Sequence, residues 1–267
     1  MTTLRMRRRA LQRGFSLLEM ITVVAILTLV MGVVFKQVIN VQQRYRAEET
    51  RLDIAQESRE FLDQMARDLH QAGYPTSRIY AAGVLGSPAI NDQRVAAGLV
   101  KFAYNDLWFE GDIDGDGQIE VVRYTLNAPG GICPCTIQRS QATKLNSTAP
   151  LSQTSTNYTI ELQNVINSGG SGGTRTNGAY GISGTGPGGA TNETLYGGLE
   201  GPYIFQAYNA SGAAVAPTDI ATNAAALASI RSIQITINVL GKQSGSDLQT
   251  GRRPAISLTA TARITNY

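Results

Sequence analysis

The feature that most constrains this chain is an apolar stretch near its start. Residues 15–35 read FSLLEMITVVAILTLVMGVVF, and Glu19 is the only ionisable side chain among these 21 residues. A helix of this length spans about 30 Å at a rise of 1.5 Å per residue, which matches the hydrocarbon layer of a bilayer. The stretch therefore predicts a single membrane-spanning helix.

The charges around this stretch predict its orientation. Five arginines lie within the first fourteen residues, and the positive-inside bias places residues 1–14 in the cytoplasm and everything after about Lys36 outside. Without these five, 18 basic residues face 20 acidic ones, so the formal net charge of +3 belongs to the leader. The remainder has no basic stripe of the kind that nucleic-acid binding demands, and we expect no nucleic-acid partner.

Two ordinary interpretations of the apolar stretch fit it poorly. A secretory signal peptide has an apolar region of about 7 to 15 residues followed by a cleavage site with small residues, and neither condition is met. A plain single-pass anchor has no use for Glu19, because a carboxylate in lipid costs at least about 2.5 kcal/mol on insertion scales and needs a partner. The glutamate therefore indicates a more specific role for the helix.

The segment RGFSLLE at residues 13–19, followed by the apolar run, resembles the type III signal of type IV prepilins and type II secretion pseudopilins. In that family a membrane aspartyl peptidase, the prepilin peptidase, cuts after the glycine and methylates the new amino terminus. The resemblance implies cleavage between Gly14 and Phe15 and N-methylation of Phe15. Glu19 then becomes the fifth residue of the mature chain.

The spacing between the cut and the glutamate has a physical reason. A new amine on Phe15 is a positive charge in or near lipid, and Glu19 lies one helical turn away. Each charge is costly in hydrocarbon, and pairing makes both tolerable. The resemblance implies that Glu19 faces the Phe15 amine of a neighbouring subunit in a filament and fixes its axial register. It also implies as partners the prepilin peptidase, other major and minor pilins, the inner-membrane assembly platform and membrane lipid.

The helix is expected to continue well beyond the membrane. Residues 41–72 are dominated by good helix formers, and an apolar stripe at steps of three and four predicts packing against a sheet. Gly73 and Pro75 predict the helix end. We therefore divide the chain into a cleaved leader (1–14), a transmembrane half-helix (15–36), an amphipathic half-helix (37–73) and a head (74–267). The predicted stripe comprises Ala55, Ser58, Leu62, Met65, Leu69 and Ala72.

The head has the composition of a β-rich domain. Residues 168–201 hold thirteen glycines among Ser, Thr and Asn, and we expect a flexible loop there because so little apolar surface is available. The last two strand-like segments alternate apolar and polar residues, as half-buried antiparallel strands do. The predicted strands are 98–109, 120–126, 158–166, 202–208, 232–240 and 255–265.

This plan, a long N-terminal helix packed on an antiparallel β-sheet head, is the α+β fold that the resemblance to pilins implies. Residues 59–74 and the final alternating strands are similar to the corresponding parts of PilW-like minor pilins. Large, tip-associated type II secretion pseudopilins share these features, so both systems stay open.

A second motif lies in the head, where residues 112–120 read DIDGDGQIE. Carboxylates occupy positions 1, 3, 5 and 9 of this loop, with glycine at position 6, and such alternating hard oxygen ligands can converge on one Ca²⁺. An EF-hand would place glutamate at position 12, where this chain has Arg123, so the motif predicts a calcium loop in a hairpin. The alternative is a plain acidic turn, because tight hairpins favour Asp and Gly. The predicted ligands are Asp112, Asp114, Asp116, Gln118 and Glu120.

The remaining reactive residues point away from catalysis. Cys133 and Cys135 would face an oxidising compartment, which predicts a short-range disulfide between them. Zinc needs four ligands and no further cysteine exists, so the pair predicts no metal site. His70, the only histidine, is expected to be a surface or capping group. No nucleophile, phosphate-binding or metalloprotease motif is present, and we expect no enzyme activity.

Three functions remain open at this point. The leading hypothesis is a minor pilin that takes part in type IV pilus assembly, priming or tip structure. A tip pseudopilin of a type II secretion system is the second, and a membrane-anchored calcium-dependent adhesin or binding module is the third. The first hypothesis places the chain in the bacterial inner membrane before assembly, and in the periplasm and the pilus filament or tip afterwards.

Overall fold

The computed structural model describes residues 16–127, 135–153, 157–167, 203–241 and 254–264. The predicted leader and the glycine-rich segment 168–201 lie outside these ranges. The chain divides by its internal contacts into two compact units, Met1–Tyr45 and Arg46–Tyr267. We describe the sheet and its core within the second unit.

One long helix, α1, runs over Leu17–Gln71, as the sequence predicts. It ends where glycine was expected to end it: Gly73 has φ of 84°, a conformation that residues with a Cβ rarely adopt. The N–H of Gly73 then donates to the carbonyl oxygen of Glu110 at 2.8 Å. A Cβ on Gly111 would lie 2.6 Å from the carbonyl oxygen of Gln71, so the helix end rests directly on strand backbone.

The described part of the head forms a sheet of ten strands in which the paired strands are antiparallel. The path runs β7-β6-β9-β5-β4-β3-β2-β1-β8, and β10 pairs with β9. The α+β, pilin-like architecture expected from the sequence is confirmed. The strands are β1 Leu99–Ala103, β2 Asp106–Gly111, β3 Glu120–Asn127, β4 Cys135–Thr143, β5 Tyr158–Val165, β6 Phe205–Asn209, β7 Ala214–Val215, β8 Thr218–Asp219, β9 Ile230–Leu240 and β10 Ala255–Arg263.

Three details of the head differ from the sequence prediction. The segment predicted as one strand over 98–109 is a hairpin, because the chain turns at Tyr104 and Asn105 between β1 and β2. Strands β4, β7 and β8 were not predicted. A second helix, α2 at Ile220–Ser229, was also missed; the Asp219 side chain caps it by accepting from two backbone N–H groups, and Asn223 kinks it with φ of −154°.

The core lies between the second half of α1 and one face of the sheet. Five of the six residues of the predicted apolar stripe are buried and Ala55 is half-buried, and the stripe is wider than expected because Ile54 and Phe61 are also buried. Phe61 meets the ring of Tyr124 on β3 edge to face, with ring centroids 6.0 Å apart. Each fully buried side chain of this size contributes about 1.5–3 kcal/mol, so the stripe binds the helix firmly to the sheet.

A buried polar cluster also joins α1 to the sheet. Asp68 on α1 accepts from the Tyr124 hydroxyl at 2.7 Å and from Nε of Arg139 on β4 at 2.9 Å. The side chains of Asp68 and Arg139 are only 9% and 13% exposed. Burial, together with the nearby Asp68 charge, raises the pKa of the Tyr124 hydroxyl, which therefore remains a donor. The cluster thus fixes which face of the helix meets the sheet.

We predict that Asp68→Ala lowers the free energy of unfolding of the full-length protein by about 3 kcal/mol. The substitution leaves the Arg139 guanidinium buried without its carboxylate, and breaking a buried pair from one side costs this much. Urea unfolding in detergent, followed by the fluorescence of Trp108, measures the change. Asp63→Ala, on the exposed side of the same helix, is the control and should change stability by less than about 0.5 kcal/mol. Equal effects of the two substitutions would contradict the prediction.

Candidate functional site

The first candidate site is the exposed apolar half of α1. The large apolar side chains from Leu17 to Phe35 are 48–77% exposed. An 18-residue window of the helix has a mean hydropathy of 2.5 and no residue buried within the chain, so the helix is long and apolar enough to cross a membrane. An apolar surface of this size needs a bilayer or other subunits to cover it.

Glu19 lies in the first turn of this helix. Its backbone carbonyl accepts from the Thr22 hydroxyl at 2.9 Å. Within the described residues, however, its carboxylate has no hydrogen-bond or ion-pair partner. Gly14 and Phe15 lie outside the described residues, so cleavage between them, methylation of Phe15 and its pairing with Glu19 remain predictions. A carboxylate in apolar surroundings needs an opposite charge, and the described residues do not supply one to Glu19.

The second candidate site is the acidic loop, residues 112–120, which joins β2 to β3. Carboxylate oxygens of Asp112, Asp114 and Asp116 all lie within 4.8 Å of one another. The loop can turn this sharply because Gly115 and Gly117 have φ of 77° and 86°. Three of the five predicted ligands are therefore brought together.

The acidic loop is also held by its own backbone. Asp112 accepts from the N–H groups of Gly115 at 2.8 Å and Gly117 at 3.2 Å. Asp116 accepts from the Gln118 N–H at 2.7 Å and from its side-chain amide at 3.0 Å. These bonds hold the aspartates in place, and they suit both a cation-binding loop and a plain acidic turn.

Glu120 lies at the base of the acidic loop and is only 4% exposed. One carboxylate oxygen, Oε2, accepts from the Ile113 N–H at 2.9 Å. Burial first, and then the negative charges of the three aspartates, raise the pKa of this carboxyl. Glu120 therefore adds charge next to the converging aspartates, but it does not join them within 4.8 Å.

The loop is connected to the end of α1. The N–H of Asp112 donates to the carbonyl oxygen of Tyr74 at 2.9 Å, one residue after Gly73. Gly111, which contacts the last turn of the helix, immediately precedes the loop. A change in the loop would therefore reach the point where α1 meets the sheet.

The cysteine and histidine predictions are tested only in part. Cys135 is buried at the start of β4 and carries no free thiol. Cys133 lies outside the described residues, so a bridge between the two remains a prediction. His70 is exposed next to the last residue of α1, where the sequence suggested a surface or capping group.

The sequence did not reveal a fully buried ion pair on the opposite side of the sheet from α1. Nζ of Lys144 lies 2.6 Å from Oε2 of Glu110, and both side chains are 0% exposed. The ammonium also donates to the carbonyl oxygens of Ile90 and Val95, each at 2.6 Å. Burial raises the pKa of the Glu110 carboxyl, and the positive charge of Lys144 acts in the opposite direction. The only signal in the sequence was a glutamate in the otherwise apolar strand LWFEG.

We predict that Glu120→Gln becomes increasingly stabilising, relative to the native protein, as the pH rises. Because the folded pKa of Glu120 is raised, the folded protein holds a proton that the unfolded chain has already lost. Native stability therefore falls as the pH rises from about 4.3, the ordinary pKa of glutamate, through the folded pKa. Glutamine keeps the acceptor for Ile113 but cannot titrate.

Urea unfolding of both proteins in calcium-free buffer, between about pH 4 and pH 8, measures this difference. Glu57→Gln, on the exposed side of α1, is the matched control and should show a constant offset. A difference between Glu120→Gln and the native protein that stays flat across this range would contradict the prediction.

Comparison with known proteins bears on the N-terminal site alone. Residues 9–35 match the family model described as the prokaryotic N-terminal methylation motif. No curated protein and no solved structure was found to match the chain. The matched residues contain Gly14, Phe15 and Glu19 and extend to the end of the apolar stretch. The chain therefore carries the prepilin-type methylation motif at the start of an exposed apolar helix, and this motif supports a type IV pilin-like protein.

Proposed function

We propose that the chain is a minor pilin of the PilW-like kind, which takes part in type IV pilus assembly, priming or tip structure. The observation that carries this proposal is the methylation motif at the start of an exposed apolar helix, whose single carboxylate has no partner in the part of the chain that the structure describes. The pilin-like packing of the same helix against an antiparallel sheet supports it. A structural subunit needs no catalytic site, and the sequence offers no catalytic motif.

The proposed sequence of events follows from the chemistry of the N-terminus. The prepilin peptidase cuts between Gly14 and Phe15, and the Phe15 amine is methylated. Glu19 then attracts the Phe15 amine of a neighbouring pilin, because each charge is costly in a low-dielectric environment until it is paired. This attraction sets the axial position at which subunits enter a filament.

The same helix sets the proposed location. Before assembly, α1 anchors the protein in the inner membrane with its N-terminus in the cytoplasm, in contact with membrane lipid and the assembly platform. After assembly, other major and minor pilins replace lipid around its apolar surface. The head then lies in the periplasm or on the pilus, where its surface is available for other contacts.

We predict that substitution of Gly14 by Val blocks processing and that Glu19→Ala permits processing but reduces incorporation into pili. A side chain at residue 14 obstructs the peptidase, whereas loss of the Glu19 carboxylate removes only the partner of the amine. N-terminal sequencing of protein recovered from envelopes measures the first effect. Immunoblots of sheared pili against envelope fractions measure the second.

Glu48→Ala is the matched control, because Glu48 is an exposed glutamate of the same helix beyond the apolar stretch. It should be processed and incorporated as the native protein is. Normal pili containing unprocessed protein would overturn the proposal. Incorporation that depends only on genes of a type II secretion system, with no effect on pili, would assign the chain to a tip pseudopilin instead.

We further propose that the acidic loop binds Ca²⁺ and stabilises the β2–β3 hairpin outside the cell. The favouring observation is the convergence of three aspartate carboxylates within 4.8 Å. At this separation the charges repel one another, and a divalent cation would remove the repulsion. Binding would also strengthen the junction with α1, since Asp112 bonds to Tyr74. A calcium-dependent adhesin or binding module would use the same loop.

Isothermal titration of the full-length protein in detergent should detect calcium binding with a dissociation constant of about 10⁻⁴–10⁻³ M, the range of extracellular modules. The double substitution Asp114→Ala/Asp116→Ala should abolish the heat, because it removes two of the three converging carboxylates. Asp63→Ala removes an exposed carboxylate from α1 and should leave the heat unchanged. Absence of heat with the native protein would leave the acidic turn as the correct interpretation.

A further inference from the structure

A small cleft in the head lies between two loops that the proposed assembly role does not use. It has a volume of about 140 Å³ and is lined by Gly86, Ser87, Pro88, Asn91, Asp92, Asn146 and Ser147. A cavity needs only about 10–15 Å³, measured in the same way, to hold one water molecule. The cleft, which we call the polar cleft, therefore has room for a molecule much larger than water.

Both walls of the polar cleft are held from the buried side. The first wall comprises the lining residues between 86 and 92, and the second comprises residues 146 and 147. Lys144, held by its pair with Glu110, donates to the carbonyl oxygen of Ile90 in the first wall. Gln153, which is 4% exposed, accepts from the Leu145 N–H at 2.9 Å and donates to the Thr148 carbonyl oxygen at 3.1 Å on either side of the second wall. Buried polar groups are costly unless fully engaged, so these contacts make the loops rigid.

The two walls are also bonded to each other. The N–H of Gln93 donates to Oδ1 of Asn146 at 3.3 Å. This bond uses one end of the Asn146 amide and leaves its NH₂ group as a donor. The cleft is thus already formed, and a ligand would not need to order its loops before binding.

The free polar groups of the cleft are neutral. The side chains of Ser87, Asn91 and Ser147 make no hydrogen bond within the described residues. The one carboxylate of the cleft, Asp92, is occupied by Arg94, whose Nη2 lies 2.7 Å away and whose Nε lies 2.9 Å away. Hydroxyl and amide groups that both donate and accept therefore dominate the surface.

We propose that the polar cleft binds a neutral saccharide unit. An anion would meet no unpaired cation, a metal ion would have to displace Arg94, and an apolar ligand would leave the amides and hydroxyls unsatisfied. A ring bearing several hydroxyl groups matches both the size of the cleft and its donors and acceptors. The site gives the head a glycan-binding function, which goes beyond filament assembly and does not rest on it.

Saturation-transfer difference NMR on the full-length protein, in a detergent without sugar groups, tests the proposal. The probes are methyl β-D-galactopyranoside, methyl α-D-mannopyranoside and N-acetyl-D-glucosamine, with protein-free micelles as the blank. At least one probe should receive saturation from the native protein. Asn91→Ala should weaken its binding about five- to tenfold, because a hydrogen bond to the ligand is lost.

Two further variants separate loss of binding from misfolding. Gly86→Leu adds a bulky side chain to the lining of the cleft while keeping its polar groups; a Cβ at this position meets no atom within 4 Å, so the fold should be unaffected and the signal lost. Asn127→Ala removes an exposed amide at the end of β3 and should keep the signal. Absence of transfer to all three probes, or transfer that survives both Asn91→Ala and Gly86→Leu, would overturn the proposal.

Discussion

A carboxylate that has no partner among the described residues, placed in the first turn of an apolar helix, is the constraint on which the rest of this protein depends. Glu19 lies among side chains that the chain itself leaves exposed, and a charge in such surroundings is stable only beside an opposite charge. The methylation motif supplies the chemical context, since cleavage of the leader would create an amine one turn away. Pairing with that amine would make the Glu19 charge tolerable in apolar surroundings.

The helix that carries Glu19 also organises the head. Its second half buries an apolar stripe against the sheet, and Asp68 adds a polar contact to Tyr124 and Arg139. The apolar stripe supplies most of the stabilisation, because buried area contributes more than a buried ion pair does. The polar cluster instead selects one rotation of the helix, since any other rotation would leave buried charges unpaired.

Buried polar groups have a similar role on the opposite side of the sheet. Glu110 and Lys144 add little net stability as a pair, because desolvation offsets much of their attraction. Lys144, however, also binds two loop carbonyls, and Gln153 holds the neighbouring turn. Irregular loops that would otherwise be mobile are therefore held as a fixed surface, and the polar cleft lies on that surface.

The sequence by itself determined the features that depend on neighbouring residues. These features are local patterns that can be recognised in a short stretch of sequence. They are the apolar stretch, the position of Glu19, the helix end at Gly73 and the alternation in β9 and β10. The tertiary structure alone decided which distant residues meet. Asp68 and Arg139 are 71 positions apart, Glu110 and Lys144 are 34 apart, and no local pattern records such pairings.

The acidic loop lies between these two cases. Its spacing of carboxylates was visible in the sequence, but only the positive φ angles of Gly115 and Gly117 bring three aspartates together while Glu120 turns towards Ile113. Strand β4 was missed because its mixed sequence takes its conformation from pairing with β3 and β5. The Asp219 cap of helix α2 was, in contrast, a local signal that could have been recognised. Local composition determines which elements can form, and contacts across the sheet determine which of them do.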